Sequence, residues 1–554
     1  MSGLDLKRSF CQIAQLTYLP TLLGNQYLHL VCILFTFLAG TLRNLEDSGI
    51  YMDSVNPEYW IARTINPDLP NPAWIPPTVG PPALLTMYAG TISYFLELPM
   101  IKVLGFSTFS LRFAQSILGF VILVLVYKIV SWITRKPIYG FLTGLLLAIE
   151  PAFVFSYRTQ FQVMLAGLVW LFLSLILLYK NFGSENNRRI NSKIKPTVIF
   201  SGIFFGLAIY TYFIYLFFLP ALLIIVLTQF RRDIWKSINW IGGVILGLMP
   251  YVYGYLSMLI AVGSLKSTLE LLKEWIVMLA PTNGIDDSVV SKLESALAFS
   301  YQAVFNIGNQ WMLIGETLTP RSADLKWFVL ALIVFSVGIV ISVGKRKNSN
   351  TPEKHYIKVG LLLISSYLFF AGILGGRLRS HHFILLIPII YVVVGISLFH
   401  LVETFGKSKT RGAATALCLS LVVALSFMQG NFTYERLQQT GGVGMSTNAL
   451  SNLAIDARQS SKNVIYVFPQ WGFFMPFAFQ TQNLVEYSLD SSLINIERLA
   501  SAGRQIRVAF WDREALESFK LSLAASSLNL LSDESTYYRS DGADAFYIIE
   551  VKTK

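Results

Sequence analysis

Four carboxylates follow the first long apolar run of the chain, and their residue types suit acid–base chemistry. Glu46, Asp47, Asp53 and Glu58 lie in one short segment rich in aromatic residues and proline, a composition typical of a structured loop. Burial raises the pKa of a carboxylate towards neutrality and makes it a general base. We predict Asp53 and Glu58 as catalytic residues, supported by Asp47 and Tyr59. The alternative is that these carboxylates are ordinary solvated loop charges.

A basic cluster lies directly before a late apolar run. It consists of Arg377, Arg379, His381 and His382. Guanidinium groups suit phosphate oxygens, and imidazoles can donate hydrogen bonds or accept a proton. We predict that this cluster binds a phosphate group, with anchoring at lipid headgroups or a metal site as alternatives. Arg112, near the start of the second apolar run, is expected to belong to the same basic surface.

A tight turn between two apolar runs carries Glu150 and Arg158. Glu150 lies inside the apolar pattern, where an unpaired charge is costly. A contact between Glu150 and Arg158 would satisfy both charges. The alternative is that both side chains are simple anchors at the membrane surface.

The composition places the chain among polytopic membrane proteins. Of its 554 residues, 54% are hydrophobic and only 14% are charged, whereas soluble proteins carry about 25% charged residues. The net charge of +12 could suggest a nucleic-acid partner, but the basic residues cluster in short loops, which the positive-inside rule explains without nucleic acid. Cys11, Cys32 and Cys418 are far apart and are interpreted as reduced packing residues, with no disulfide and no metal site.

Apolar runs of about 20 residues cross the hydrocarbon layer as helices. They predict a polytopic α-helical membrane protein with about eleven transmembrane helices. The expected spans are residues 27–44, 109–134, 138–157, 162–180, 197–213, 214–230, 238–259, 326–344, 356–375, 382–403 and 411–429. A shorter apolar stretch, residues 82–98, is predicted to be interfacial or re-entrant.

The basic loops also predict the orientation. With a cytoplasmic N-terminus, every predicted inner loop is basic, as the positive-inside rule requires. An odd number of spans then places the end of the chain outside. The predicted domains are a cytoplasmic segment 1–26, a transmembrane domain 27–430 with outer loops 43–108 and 261–325, and an extracytoplasmic α/β domain 431–554. The α/β assignment follows from predicted strands at 463–468, 507–511 and 545–551, with helices at 494–502 and 513–525 between them.

Five segments, in order, resemble the GT-C fold glycosyltransferases, in particular the protein-mannosyltransferase and aminoarabinose-transferase-like families. They are the acidic loop from Asp53 to Arg63, the Pro81-Pro82-Ala83-Leu84 segment running to Arg112, the turn from Glu150 to Arg158, the start of the late helix from His381 to Pro388, and the Gln470–Phe474 motif of the tail. Ser54 follows Asp53 at a position where these families carry an acidic pair.

The resemblance implies an inverting transfer of a sugar from a polyprenyl-phosphate donor to a lipid, glycan or protein acceptor at the outer face of a cell inner membrane. Asp53 would deprotonate the acceptor. The donor phosphate would be held by Arg377, Arg379 and His382, joined by Arg158. No cofactor is implied, and a divalent metal is left open. A transporter or flippase of lipid-linked saccharides is the main alternative, and a non-catalytic membrane scaffold is another.

Overall fold

The computed structural model describes residues 25–63, 65, 76–159, 165–180, 196–231, 233–279, 288–318, 320–343, 352–374, 378–405, 409–460, 462–525 and 530–553. Cys11 and Arg377 lie outside these residues. The side chains of Glu58 and Arg158 are also outside the description, although their backbones belong to helices.

Helices dominate the first 343 residues, because an apolar chain in hydrocarbon must satisfy its backbone hydrogen bonds internally. They are α1 (Gln26–Thr41), α2 (Asn56–Arg63), α3 (Ile92–Leu104), α4 (Thr108–Thr134), α5 (Pro137–Ala148), α6 (Pro151–Thr159), α7 (Leu165–Lys180), α8 (Pro196–Thr211), α9 (Leu219–Gln229), α10 (Ile234–Gly247), α11 (Met249–Val262), α12 (Leu265–Leu279), α13 (Val289–Val304), α14 (Ile307–Ile314) and α15 (Pro320–Val343).

The remaining residues add three long helices and a small mixed α/β region. The three long helices are α16 (Pro352–Leu374), α17 (Leu386–Phe405) and α18 (Lys409–Thr440). The shorter helices of the mixed region are α19 (Ala449–Gln459), α20 (Phe474–Gln480), α21 (Leu493–Ser501) and α22 (Arg513–Ala525). Short 3₁₀ turns at Met52–Val55, Phe213–Phe218 and Ser380–Phe383 interrupt the chain near the predicted site.

The prediction of a polytopic helical membrane protein is confirmed. Described helices lie in every predicted span, with 3₁₀ turns at the start of the spans 214–230 and 382–403. Five helical stretches of the described residues have the length and hydropathy to cross a membrane, or six if one bent pair is counted as a span, so the count of about eleven stays a prediction. Shorter apolar helices, among them Gln26–Thr41 and Pro196–Thr211, pack beside them. One large apolar core joins these helices.

Two predicted features differ in detail. The span 138–157 is broken, because α5 and the Pro151–Tyr157 part of α6 meet at an angle of 67°. The stretch 82–98 forms a hairpin of strands β1 (Leu84–Thr86) and β2 (Ala89–Gly90), followed by the start of α3.

A five-stranded sheet lies near the C-terminal end of the chain. Its strands are β3 (Val464–Val467), β4 (Tyr487–Ser488), β5 (Gln505–Phe510), β6 (Leu530–Tyr538) and β7 (Asp544–Thr553), in the order β4-β3-β5-β7-β6. β3 runs parallel to β4 and β5, whereas β7 is antiparallel to both β5 and β6. The three predicted strands coincide with β3, β5 and β7, and the two predicted helices coincide with α21 and α22.

The two faces of this sheet bury different partners. One face packs on residues of α21 and α22, including Ile496 and Leu516. The other packs on α19, α20 and the acidic loop, where Met52 and Tyr59 belong to the same apolar cluster as Phe474. The sheet region and the loop that carries Asp53 therefore share one core.

Candidate active site

Asp53 lies in the 3₁₀ turn Met52–Val55, between α1 and α2. Its side chain is partly buried, and this desolvation raises the pKa of the Asp53 carboxyl to about 6, because burial disfavours the charged form. Burial and then the charge of Asp53 raise the pKa of the neighbouring Tyr51. A carboxylate with a pKa just below neutrality suits a general base.

Arg112 of α4 holds the loop that leads to Asp53. This buried guanidinium donates hydrogen bonds to the carbonyl of Leu45, to Ser48 Oγ at 2.9 Å and to the carbonyl of Gly49 at 2.8 Å. The expectation that Arg112 belongs to a basic surface is therefore wrong. A buried charge needs partners, and the loop carbonyls supply them. Arg112 fixes the shape of the loop.

The same loop is covered by the C-terminal part of the chain. The Gly49 N–H donates to the carbonyl of Ser446 at 2.8 Å. A Cβ on Gly49 would lie only 1.9 Å from the carbonyl oxygen of Thr447, so this close approach of two backbone segments requires glycine.

A second contact with the C-terminal part lies nearer to Asp53. Tyr51 packs edge-on against Trp471, with ring centroids 5.5 Å apart, and the Gly472 N–H points at Met52 Sδ at 3.1 Å. Gly472 has φ +109°, a conformation that side chains rarely adopt. The turn after β3 thus covers both residues that precede Asp53.

Tyr59 also joins the loop region to the sheet. Its buried hydroxyl lies 3.0 Å from the hydroxyl of Tyr487 in β4. Asp47 is half-buried in the loop, and its N–H donates to the carbonyl of Asn44 at 3.2 Å. The contact between the Tyr59 and Tyr487 hydroxyls therefore links α2 to strand β4 next to the site.

Tyr212 connects the acidic loop with the late basic segment. It lies between α8 and the 3₁₀ turn Phe213–Phe218, where the backbone is extended and bridges to Ala89 of β2. The Asp53 carboxylate is close enough for its charge to act on the Tyr212 hydroxyl. That hydroxyl also lies 3.4 Å from Nε2 of His382. The structure therefore brings Asp53 and His382 into the neighbourhood of one phenol.

The basic segment is shaped by its own backbone. The N–H of Arg379 lies 3.0 Å from Nδ1 of His382, and Tyr367 donates a hydrogen bond to the His382 carbonyl at 2.8 Å. The rings of His381 and His382 are in contact, with centroids 4.1 Å apart. Arg379 is exposed, with its guanidinium 5.6 Å from the Phe299 ring centre. Among its described residues, the segment thus offers one exposed cation, Arg379, beside two imidazoles.

Glu150 lies apart from this group of residues. Its buried carboxylate binds Lys326 Nζ at 2.7 and 3.0 Å and accepts a hydrogen bond from Tyr391 at 2.5 Å. The carboxylate is thus satisfied by residues of α15 and α17, and the predicted contact with Arg158 lies outside the described side chains. Among the described residues, no group of three or more His, Cys, Asp or Glu side chains is arranged to hold a metal ion.

Sequence reasoning missed three residues of this arrangement. Tyr212 ends an apolar run in which aromatic residues are common, and nothing in its spacing separates it from packing residues. Lys326 stands at the start of a span, where a lysine usually reaches towards the membrane surface. Trp471 lies in a motif that the sequence did single out, but its contact with Tyr51 depends on tertiary structure.

Part of the chain matches a known family. Residues 91–253 match the family model described as dolichyl-phosphate-mannose-protein mannosyltransferase. This segment contains Arg112, Glu150 and Tyr212, and it ends before the basic segment. No curated protein matches the chain by sequence.

Solved structures extend the likeness to almost the whole chain. ArnT from Cupriavidus metallidurans, in a crystal structure bound to undecaprenyl phosphate, is similar with a TM-score of 0.58 and 12% identity, over 95% of this chain and 97% of that one. The archaeal oligosaccharyltransferase AglB from Archaeoglobus fulgidus, in complex with an inhibitory peptide and a dolichol-phosphate, gives a TM-score of 0.55 and 12% identity, over 94% of this chain and 74% of that one. The chain therefore has the GT-C fold of membrane glycosyltransferases.

Proposed function

We propose that the chain is an inverting glycosyltransferase that moves a sugar from a polyprenyl-phosphate donor to a lipid, glycan or protein acceptor. The single observation that carries this proposal is that Tyr212 lies close to Asp53 and within 3.4 Å of His382 Nε2. Such a transfer needs a group that accepts a proton and a group that binds phosphate. The Asp53 carboxylate suits the first task and the basic segment suits the second.

Asp53 is the proposed base. With a pKa of about 6 it is mostly ionised at neutral pH, yet basic enough to accept the proton of an acceptor hydroxyl or amine. The acceptor atom forms a bond to the anomeric carbon from the side opposite the phosphate. The bond from that carbon to the phosphate oxygen breaks, and its electron pair leaves with the polyprenyl phosphate. One carboxylate suffices because a phosphate leaving group needs little protonation.

The basic segment is the proposed phosphate site. Arg379 is exposed and free to turn towards a ligand, and His381 and His382 add imidazole donors beside it. Arg377 and Arg158 remain proposed members of this site, as Glu58 remains a second candidate for the base. Cations at this place stabilise the charge that develops on the departing phosphate.

The structural neighbours support a lipid-phosphate donor. One similar structure holds undecaprenyl phosphate and another holds a dolichol-phosphate, and both share the GT-C fold with this chain. The proposed setting is the cell inner membrane, with a cytoplasmic N-terminus and the 431–554 domain outside. The site then faces the outer leaflet, since the loop 43–108 and the basic segment both belong to the outer side of the predicted topology.

The test uses purified protein in liposomes with radiolabelled polyprenyl-phosphate sugars. Transfer or release of the labelled sugar by the wild type, lost in Asp53→Asn with donor binding retained, is the expected result. Glu46→Gln is the matched control, because Glu46 is an exposed carboxylate of the same loop. Donor that is bound or moved between leaflets without any sugar release would refute the transferase and favour the flippase.

A further inference from the structure

The bend between α5 and α6 is built around one carboxylate. Glu150 stands at the start of α6, where its carbonyl accepts the N–H groups of Phe153 at 3.0 Å and Val154 at 2.9 Å. Its Oε1 atom lies 3.4 Å from the N–H of Ala152. A negative charge at a helix N-terminus is favourable because the unpaired N–H groups there carry partial positive charge.

Two other helices contact the carboxylate directly, and a third contacts its lysine partner. Lys326 of α15 contacts both carboxylate oxygens, and Tyr391 of α17 donates to one of them. Lys326 also donates to Oε1 of Gln429 in α18 at 3.3 Å, and Gln429 donates to the Phe305 carbonyl at 2.6 Å. We call Glu150, Lys326, Tyr391 and Gln429 the helix-break cluster.

The helix-break cluster is completely enclosed. The side chains of Glu150 and Lys326 are 0% and 1% exposed. Apolar residues of similar volume would stabilise such a place equally well or better, because removing two charges from water is costly. Buried ionic groups do, however, fix one arrangement of the elements that they join, since any other arrangement leaves a charge unpaired. A cluster that joins four helices at a bend is suited to such a task.

The helices that the helix-break cluster joins also contact the end of α1, from which the acidic loop starts. Gly40 of α1 lies close to Val154 of α6, since a Cβ added at Gly40 would be 3.2 Å from the Val154 side chain. Tyr434 of α18 donates a hydrogen bond to the Gly40 carbonyl at 2.5 Å. Phe153 and Tyr157 pack on Phe37, with ring centroids 5.7 and 5.9 Å away. The end of α1 is therefore seated on α6 and α18, and the loop that carries Asp53 starts from that end.

We propose that Glu150 and Lys326 are positioning residues, which hold α6 so that the end of α1 presents Asp53 to the site. The role of Asp53 in this statement rests on the proposed function. Within the described part of the chain, no hydrogen bond joins the helix-break cluster to Asp53 or to the basic segment, so the cluster acts through α6 and α1.

The test removes the charges of Glu150 and Lys326 together, so that neither charge stays buried without its partner. In the double variant Glu150→Gln/Lys326→Met the cluster is neutral, so the fold is expected to persist. The control is Lys136→Gln/Glu403→Gln, which removes an exposed ion pair between the residue preceding α5 and the same helix α17. We expect sugar transfer to fall at least tenfold in the first variant and to stay within twofold in the control.

The second readout does not require activity. The pKa of Asp53 can be measured from the pH dependence of the difference in thermal stability between each protein and its Asp53→Asn derivative. With the native cluster this difference should change between about pH 4 and pH 6. In the neutral variant a loosened loop admits water, the pKa of Asp53 returns towards the ordinary value of an aspartate, and the pH dependence should shrink.

The outcomes separate the two proposals. A change in both readouts supports positioning. An unchanged pH dependence together with normal transfer would overturn it, and the cluster would then be only a packing element. If the wild type transfers no sugar but the pH dependence still shrinks, the positioning role stands and the proposed function fails.

Discussion

Replacing Asp53 with asparagine should make the protein more stable and less active, and the gain in stability should depend on pH. Desolvation raises the pKa of Asp53 from 3.8 to about 6, so the folded state binds the proton more tightly than the unfolded state. Stability contributed by this group is therefore complete below pH 4 and is lost as the pH rises through 6. The difference between a pKa of 3.8 and one of about 6 corresponds to about 3 kcal/mol at most.

Asparagine carries no charge, so it avoids this loss. We expect Asp53→Asn to raise the thermal unfolding temperature most at pH 8, nearly as much at pH 6 and only slightly near pH 4. The assay is thermal unfolding in detergent across this pH range, with Glu46→Gln measured alongside. A gain that is equal at all pH values, or a destabilisation at pH 8, would refute the reasoning, because Asp53 would then not be a desolvated carboxylate.

Three further changes test the surroundings of Asp53. Arg112→Lys should leave at least one of its three acceptors unpaired and cost about 1–3 kcal/mol of stability, measured as a lower unfolding temperature together with reduced sugar transfer. Tyr212→Phe removes one hydroxyl and should lower transfer about 100-fold while donor binding persists; unchanged turnover would exclude this hydroxyl from the reaction. Gly49→Ala should abolish transfer, because its methyl group meets the Thr447 carbonyl, whereas Gly430→Ala, in open space, should match the wild type in the same assay.

The helical part of the fold is predictable from the sequence because its determinants are local. Apolar runs of sufficient length mark the helices whatever their neighbours are, and buried strands such as β3, β5 and β7 appear as short β-branched and aromatic runs. The strands β4 and β6 were not predicted. β4 has only two residues, and β6 contains polar residues such as Asp533 and Glu534, so neither shows the apolar pattern of a central strand.

The site is only partly predictable, because its partners are distant in the chain. Asp53 and His382 could be selected by residue type and by their place at the ends of spans. Their meeting at Tyr212 depends on how helices pack, which no local pattern records. For Arg112 the sequence suggested an exposed position, but the side chain is buried. An arginine at a helix end shows the same local pattern whether it faces solvent or lies beneath a loop.

The contacts of the acidic loop with Ser446, Thr447 and Gly472 have a consequence for biosynthesis. Residues 45–53 leave the ribosome early, but the segments that cover them are made some four hundred residues later. The carboxylate cannot reach its final surroundings until the chain has been made as far as Gly472 and this part has folded against the loop. A nascent or truncated chain would therefore hold its apolar helices without the contacts that shape the proposed site around Asp53.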